Sequence, residues 1–257
     1  MEKIGEGVEH LLHELSVLTL SGHEVHAGEF VLTNYMFFLL IALVVTFLFF
    51  MIGVRKVSLV PESRLGGAIE AGVEFVRDSL CVETMGPEGR KYVPFVGTIF
   101  FFVLFNNLVG LIPGSKPGTG TMGTTVTWAV VVFIVYNAIG IKRHGVWGYA
   151  KSFWPKGVPG PIAAVVALLE VVSHLVRPLT LSVRLYANMY AGHVVLGIFS
   201  ILGALLLEAS GVMKVIAVLP VMLQIVLYAL EVFVAVIQAY IFAILTSVYI
   251  GGAIHTH

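Results

Sequence analysis

Arg184 stands in a stretch, residues 176–193, that is otherwise suited to lipid, and no Asp, Glu, Lys or Arg follows it until Glu208. A guanidinium keeps its proton at any physiological pH. Holding one at bilayer depth costs at least ~2.5–3.5 kcal/mol on insertion scales. A residue that costly is expected to face a polar path or a partner charge. Arg177 could instead reach a headgroup layer along its own stem. Arg184 lies too deep between apolar flanks for that.

Other polar residues fall in register with it. Glu170, Arg177 and Arg184 follow one another at seven-residue steps, each about 20° short of two helical turns, so they share nearly one stripe. His174 joins that stripe by four-residue and three-residue spacing to Glu170 and Arg177, and Asn188 extends it past Arg184. Gln224, Glu231 and Gln238 repeat the seven-residue step on the last apolar segment. Two antiparallel helices with such stripes can form a polar seam in lipid. A lone intramembrane Gln would be explained by interhelical bonding; the set as a whole points to a water-bearing path. His193 lies nine residues beyond Arg184, on roughly the opposite face, and Glu231 is the candidate partner for it. An imidazole and a carboxylate sharing a cavity can pass protons near neutral pH.

The elements that must carry these residues are apolar helices. The chain is 58% hydrophobic and 12% charged, with a mean hydropathy of +0.96, whereas a soluble domain carries roughly 25% charged residues. Acidic and basic residues number fifteen each, so no net field points to nucleic acid. A single cysteine, Cys81, excludes an internal disulfide. Residues 1–29 hold six glutamates, one lysine and His10, His13, His23 and His26. They read as a polar tail, without the basic and apolar regions of a signal peptide and without a third ligand to join His10 and His13 on a metal.

Phe30 to Val54 is free of charge and suffices for one span. Residues 62–80 place Leu65, Ile69, Val73, Val76 and Leu80 at helical spacing among charged positions, an amphipathic helix for the membrane surface or a partner, with Pro61 at its start. Tyr92–Ser115 and Pro117–Ile141 are two further charge-free spans. Asn106 and Asn107 either bond across helices or line a cavity, and packing is favoured. Gly118 to Gly123 matches a dinucleotide fingerprint literally, but it joins two apolar spans and follows no strand, so that reading is set aside. The loop 142–156 mixes four basic residues with Trp147, Tyr149, Phe153 and Trp154, as at a membrane interface. Gly160–Leu207 as one helix would be about 70 Å long at ~1.5 Å per residue, over twice a hydrocarbon core of ~30 Å. It either breaks near Pro178 or crosses at a steep tilt, and periodicity leaves both open. Val212 to about Ile250 then returns.

The basic loops orient the chain. Six basic residues lie between the first and second spans and four in the 142–156 loop. The positive-inside rule puts both loops in the cytoplasm, the N-terminus outside and, after five crossings, the C-terminus inside. The expected architecture is all-α and polytopic, one integral membrane domain over 1–257. It comprises the tail at 1–29, peripheral helices and loops at 30–156, and a long helical hairpin at 157–257.

The segment Arg-Leu-Tyr-Ala-Asn-Met-Tyr-Ala-Gly-His at 184–193 closely resembles the signature of subunit a of F-type ATP synthases. Weaker resemblance lies in residues 105–113 and from Glu231 to Tyr249. The resemblance implies a long, tilted, bent helix at 160–207 and a stator role. Two offset aqueous half-channels would meet a rotor ring of small carboxylate-bearing c subunits, with Arg184 facing the ring. His193, Glu231, Asn188 and Gln238 are then expected on the outer path, and Glu170, His174 and Thr180 on the inner one. It implies peripheral-stalk b-type subunits as partners, a bacterial plasma membrane location, no cofactor, and no nucleotide site on this chain. In the family the counterparts of His193 and Glu231 commonly hold an acid and a histidine, so this chain looks like an exchange of the same pair. Two readings from other classes are weaker. An intramembrane metallohydrolase would want His-Glu-x-x-His, and the chain offers only Glu170-Val-Val-Ser-His174. A secondary transporter would favour internal repeats.

Overall fold

A computed structural model describes residues 34–55, 64–112, 115, 117–152, 154, 159–208 and 212–255. The expected polar tail, the Pro61 start and the last two residues, 256–257, lie outside the described residues. The described elements are helices throughout. In chain order they are α1 (Asn34–Arg55), α2 (Arg64–Phe75), a π-helical stretch (Val76–Val82), α3 (Glu83–Met85) and a 3₁₀ segment (Gly86–Tyr92). There follow α4 (Val93–Gly110), a 3₁₀ turn (Gly118–Gly120), α5 (Met122–Ser152), α6 (Gly160–Glu208), α7 (Val212–Ile216) and α8 (Val218–Ile254).

Four stretches are long and apolar enough to cross a membrane: Gly66–Gly110, Met122–Tyr149, Ile162–Glu208 and Lys214–Ile254. A shorter apolar helix runs from Tyr35 to Met51. The amphipathic helix expected at 62–80 runs on without a loop through the π and 3₁₀ turns into α4. Its buried face differs from the periodic expectation. Ile69, Val76 and Leu80 are buried as expected, Val73 is exposed, and Cys81 is buried instead. The π turns rotate the register, which brings Cys81 inward. A break at Gly86 (φ 72°) then redirects the chain into α4.

α6 is one helix of 49 residues, with Pro178 inside it. The chain therefore takes the unbroken solution. At ~1.5 Å per residue it is about 74 Å long, so a bilayer core of ~30 Å accommodates it only tilted or partly outside. Pro178 cannot donate to the His174 carbonyl, and the helix continues around that lost bond. α6 ends at Glu208 and α7 begins at Val212, and Gly203 lies inside α6.

The core is built where α8 meets α4. Ala235, Ala239 and Ala243 lie at four-residue steps on α8 and are fully buried, so α4 approaches its backbone closely. Val96, Ile99, Phe100, Phe102 and Val103 of α4 fill this contact with Phe242 and Ile250 of α8. Leu181 and Leu185 of α6 and Val132 of α5 close it from the other side. Phe49 and Phe50 of α1 pack edge-on or tilted against Phe101.

The asparagine pair binds elements together. Asn107 Nδ2 donates to the Ala235 carbonyl (3.3 Å), and its Oδ1 accepts from Thr119 Oγ1 (2.8 Å). Asn106 Oδ1 accepts from Gly118 N at 3.0 Å. The glycine-rich connection is thus a packing device. A Cβ on Gly110 would collide with Pro117, and one on Gly118 would stand 2.6 Å from Leu39 Cδ1. At the opposite end of α8, His144 Nε2 lies 3.2 Å from the Ile254 carbonyl, and Arg143 pairs with Glu88 through both guanidinium ends.

Candidate functional site

α6 and α8 run antiparallel. Arg177 lies over the Tyr249 ring (5.4 Å to its centroid), and Gly192 lies against Glu231, so residues in ascending order on α6 meet residues in descending order on α8. This packing divides α6 into two faces. His174, Leu181, Ser182, Leu185, Met189 and Gly192 are buried. Thr180, Arg184, Ala187, Ala191 and Val195 are exposed and recur at helical spacing on the other side. Arg184 has no ion pair and no side-chain hydrogen bond among the described residues. Toward the hairpin turn that face carries Ala187 and Ala191, small enough for another helix to come close.

The polar stripe on α6 is therefore not uniform. Glu170 and Arg177 form an ion pair at 3.6 Å, with side chains 49% and 31% exposed, and Arg184 is not part of it. His174 turns away from both, toward α5. Its Nε2 is 2.9 Å from Asn137 Oδ1 and 3.3 Å from Tyr136 Oη. Tyr149 Oη donates to the same Asn137 oxygen at 3.0 Å. The rings of Phe133, Tyr136 and Tyr149 surround the imidazole at centroid distances of 5.4, 5.1 and 6.4 Å. Tyr249 of α8 closes the cluster at 5.8 Å from Tyr136. Thr180 is exposed and its hydroxyl donates to the Arg177 carbonyl.

Backbone conformation puts Tyr149 there. α5 breaks at Gly145 (φ 73°, ψ 164°), a conformation that favours glycine. The residues beyond it turn back, and the Tyr149 ring lies against Gly140, where a Cβ would collide with it.

Nearer the hairpin turn the arrangement is different. Glu231 and Gln238 are 8% and 7% exposed, on the α8 face that also buries Ala235 and Ala239. Gln224, the third of the seven-residue series, and Asn188 are half-buried. The Glu231 carboxylate lies directly against Gly192, where a Cβ would overlap it. His193 is the next residue, and its Nε2 and Glu231 Oε2 are both buried without a hydrogen-bond partner among the described residues. The two side chains are brought to the same stretch of the helix pair and are not directly bonded.

Sequence reading missed Tyr136, Asn137 and Gly192, and it placed Tyr149 at a membrane interface, whereas Tyr149 is buried against Asn137 and His174. Tyr136 and Asn137 carried the same signal as Asn106 and Asn107, polar residues inside a charge-free span. Among the described residues, no three of His, Cys, Asp or Glu gather closely enough to hold a metal ion.

Known proteins resemble this chain over most of its length. A profile described as ATP synthase A chain matches residues 36–251. ATP synthase subunit a of Acidiphilium cryptum is 42% identical over 232 residues, 90% of this chain and 90% of that protein. The subunit a of Gluconobacter oxydans is 42% identical over 217 residues, 84% of this chain and 86% of its own length. That of Granulibacter bethesdensis is 40% identical over 207 residues, covering 80% and 81%. An all-helical membrane fold, an arginine on the outer face of its longest helix and a match over more than two hundred residues agree, and the chain belongs to the ATP synthase A chain family.

Proposed function

We propose that this chain is the proton-conducting stator subunit of an F-type ATP synthase, coupling ion flow to rotation of a c-subunit ring. The observation that carries this reading is Arg184. It is exposed, unpaired among the described residues and flanked on its face by Ala187 and Ala191. An arginine in lipid needs an anionic partner, and a ring of buried carboxylates passing this face supplies one. The guanidinium favours the ionised form of each passing carboxylate and blocks direct proton transfer between two offset half-channels.

His193, Glu231, Asn188 and Gln238 belong to the outer half-channel. The buried atoms of His193 and Glu231 that lack a partner among the described residues support this, because buried polar groups are normally met by protein or by ordered water. Glu170, His174 and Thr180 belong to the inner half-channel, near the open end of the hairpin. Peripheral-stalk b-type subunits hold the chain against rotation. The N-terminus is outside and the C-terminus cytoplasmic in a bacterial inner membrane. The subunit makes no ATP by itself.

The test is ATP synthesis by membrane vesicles under an imposed pH gradient. Arg184→Ala should abolish it in an assembled complex, and Arg184→Lys should fail too, because a compact ammonium lacks the planar fork. Near-wild-type synthesis by the alanine variant would sink the gate assignment.

A further inference from the structure

We infer that Asn137 sets the tautomer of His174, so that the neutral ring carries its proton on Nε2 and exchanges protons through Nδ1. The functional half of this inference rests on the reading of His174 as an inner-path residue.

The argument begins with the amide of Asn137. One end lies 2.7 Å from the Phe133 carbonyl, one helical turn back on α5. A carbonyl oxygen can only accept, so the group facing it is the NH₂. Turning the amide over would set two oxygens against each other at that distance. Oδ1 therefore points the other way, where it meets Tyr149 Oη at 3.0 Å and His174 Nε2 at 2.9 Å. An amide oxygen has no hydrogen to give, so both neighbours are donors. Nε2 must carry a hydrogen. Tyr136 Oη, 3.3 Å from the same nitrogen, is then a second acceptor for it.

The ring is held in this orientation. His174 is 8% exposed, with aromatic rings of α5 at centroid distances of 5.1–6.4 Å. In neutral imidazole one nitrogen donates and the other accepts, and the bond made by one decides the role of the other. With Nε2 committed to Asn137, Nδ1 is the basic atom. The charged groups nearest in sequence on α6 are Glu170 and Arg177, one turn to either side, and they are paired with each other. Asn137 is thus a positioning residue: it acts on proton exchange only through His174.

The test uses the assembled complex, with ¹⁵N-histidine in this subunit, reconstituted in lipid. Solid-state ¹⁵N spectra distinguish the two neutral tautomers, and His174→Gln identifies the resonances by their loss. Wild type should show His174 protonated at Nε2 and bare at Nδ1. Asn137→Leu should give a mixture of tautomers and lower gradient-driven proton flux by at least about tenfold, since a wrongly disposed tautomer disables a histidine that must accept a proton. Tyr149→Phe should keep the wild-type tautomer, because the Phe133 carbonyl still orients the amide. A wild-type ring protonated at Nδ1 would overturn the inference, and this holds even if Asn137→Leu fails to assemble. An Asn137→Leu ring still wholly protonated at Nε2 would overturn it too. A changed tautomer with unchanged flux would remove His174 from the path, which separates failure of that reading from failure of the lock.

Discussion

The two ends of the α6–α8 hairpin solve the same problem in opposite ways. Near the open end, Glu170, His174 and Arg177 each have a protein partner: an ion pair, an asparagine and a tyrosine face. Near the turn, Glu231 and His193 bury polar atoms that have no hydrogen-bond partner among the described residues. Two partly exposed charges at 3.6 Å and a hydrogen-bonded ring describe a region whose geometry is set by the protein itself. A carboxylate pressed against a glycine describes a region that gives way to its largest polar group. The first can hold a proton acceptor in one orientation. The second leaves its acid and imidazole without such a hold among the described residues.

The largest effect expected from this contrast is at Gly192. A methyl group there would overlap the Glu231 carboxylate, and overpacking of this kind costs roughly 1–3 kcal/mol. Gly192→Ala should displace Glu231 and reduce gradient-driven ATP synthesis severely, with subunit level in the membrane measured alongside. Gly203→Ala is the matched control, because a Cβ there stands 3.5 Å from Val221 in ordinary contact. Equal loss in both variants would remove the special role of the Gly192 contact.

Next in size is the coupling between His193 and Glu231. If they act as one relay, their effects are non-additive. His193→Ala with Glu231→Ala should lose little more flux than the worse single variant. The exchange His193→Glu with Glu231→His should recover more than His193→Glu alone. Full additivity of the two alanine variants would separate the residues functionally.

At the open end the expected effects are smaller, because hydrogen bonds within a membrane average ~0.6 kcal/mol and reach ~1.7. Tyr149→Phe deletes one bond to Asn137 Oδ1. It should lower the unfolding midpoint of the detergent-solubilised subunit slightly and leave flux within about twofold of wild type. Gly140→Ala, which pushes on the Tyr149 ring, should be worse than Tyr149→Phe. The reverse order would show that the hydroxyl matters more than the position of the ring. Smallest of all is Glu88→Gln. The Glu88–Arg143 pair is 41% exposed on both sides, and exposed ion pairs are worth little. No change in ATP synthesis is expected, and a measurable loss would give this surface pair a functional weight that its exposure does not suggest.

Composition and charge spacing were enough to read an all-helical membrane protein, the hairpin of two long segments and the exceptional place of Arg184. These features follow from free energies that each residue carries alone: lipid excludes charge and unsatisfied backbone, whatever the neighbours are. Of the seven-residue series on the last segment, Glu231 and Gln238 share the buried face of α8, whereas Gln224 is half-buried. Pairing was not legible in this way. His174 lies in register with Glu170 and Arg177, yet it bonds to Asn137, because a helical stripe is broad and α5 occupies one side of it. Nor did spacing reveal that Gly192 receives Glu231, that Gly145 turns Tyr149 back toward Asn137, or that α6 is unbroken at Pro178. Periodicity assigns a residue to a face of its own helix. Which neighbouring helix meets that face, and at what height, is decided only when the helices pack.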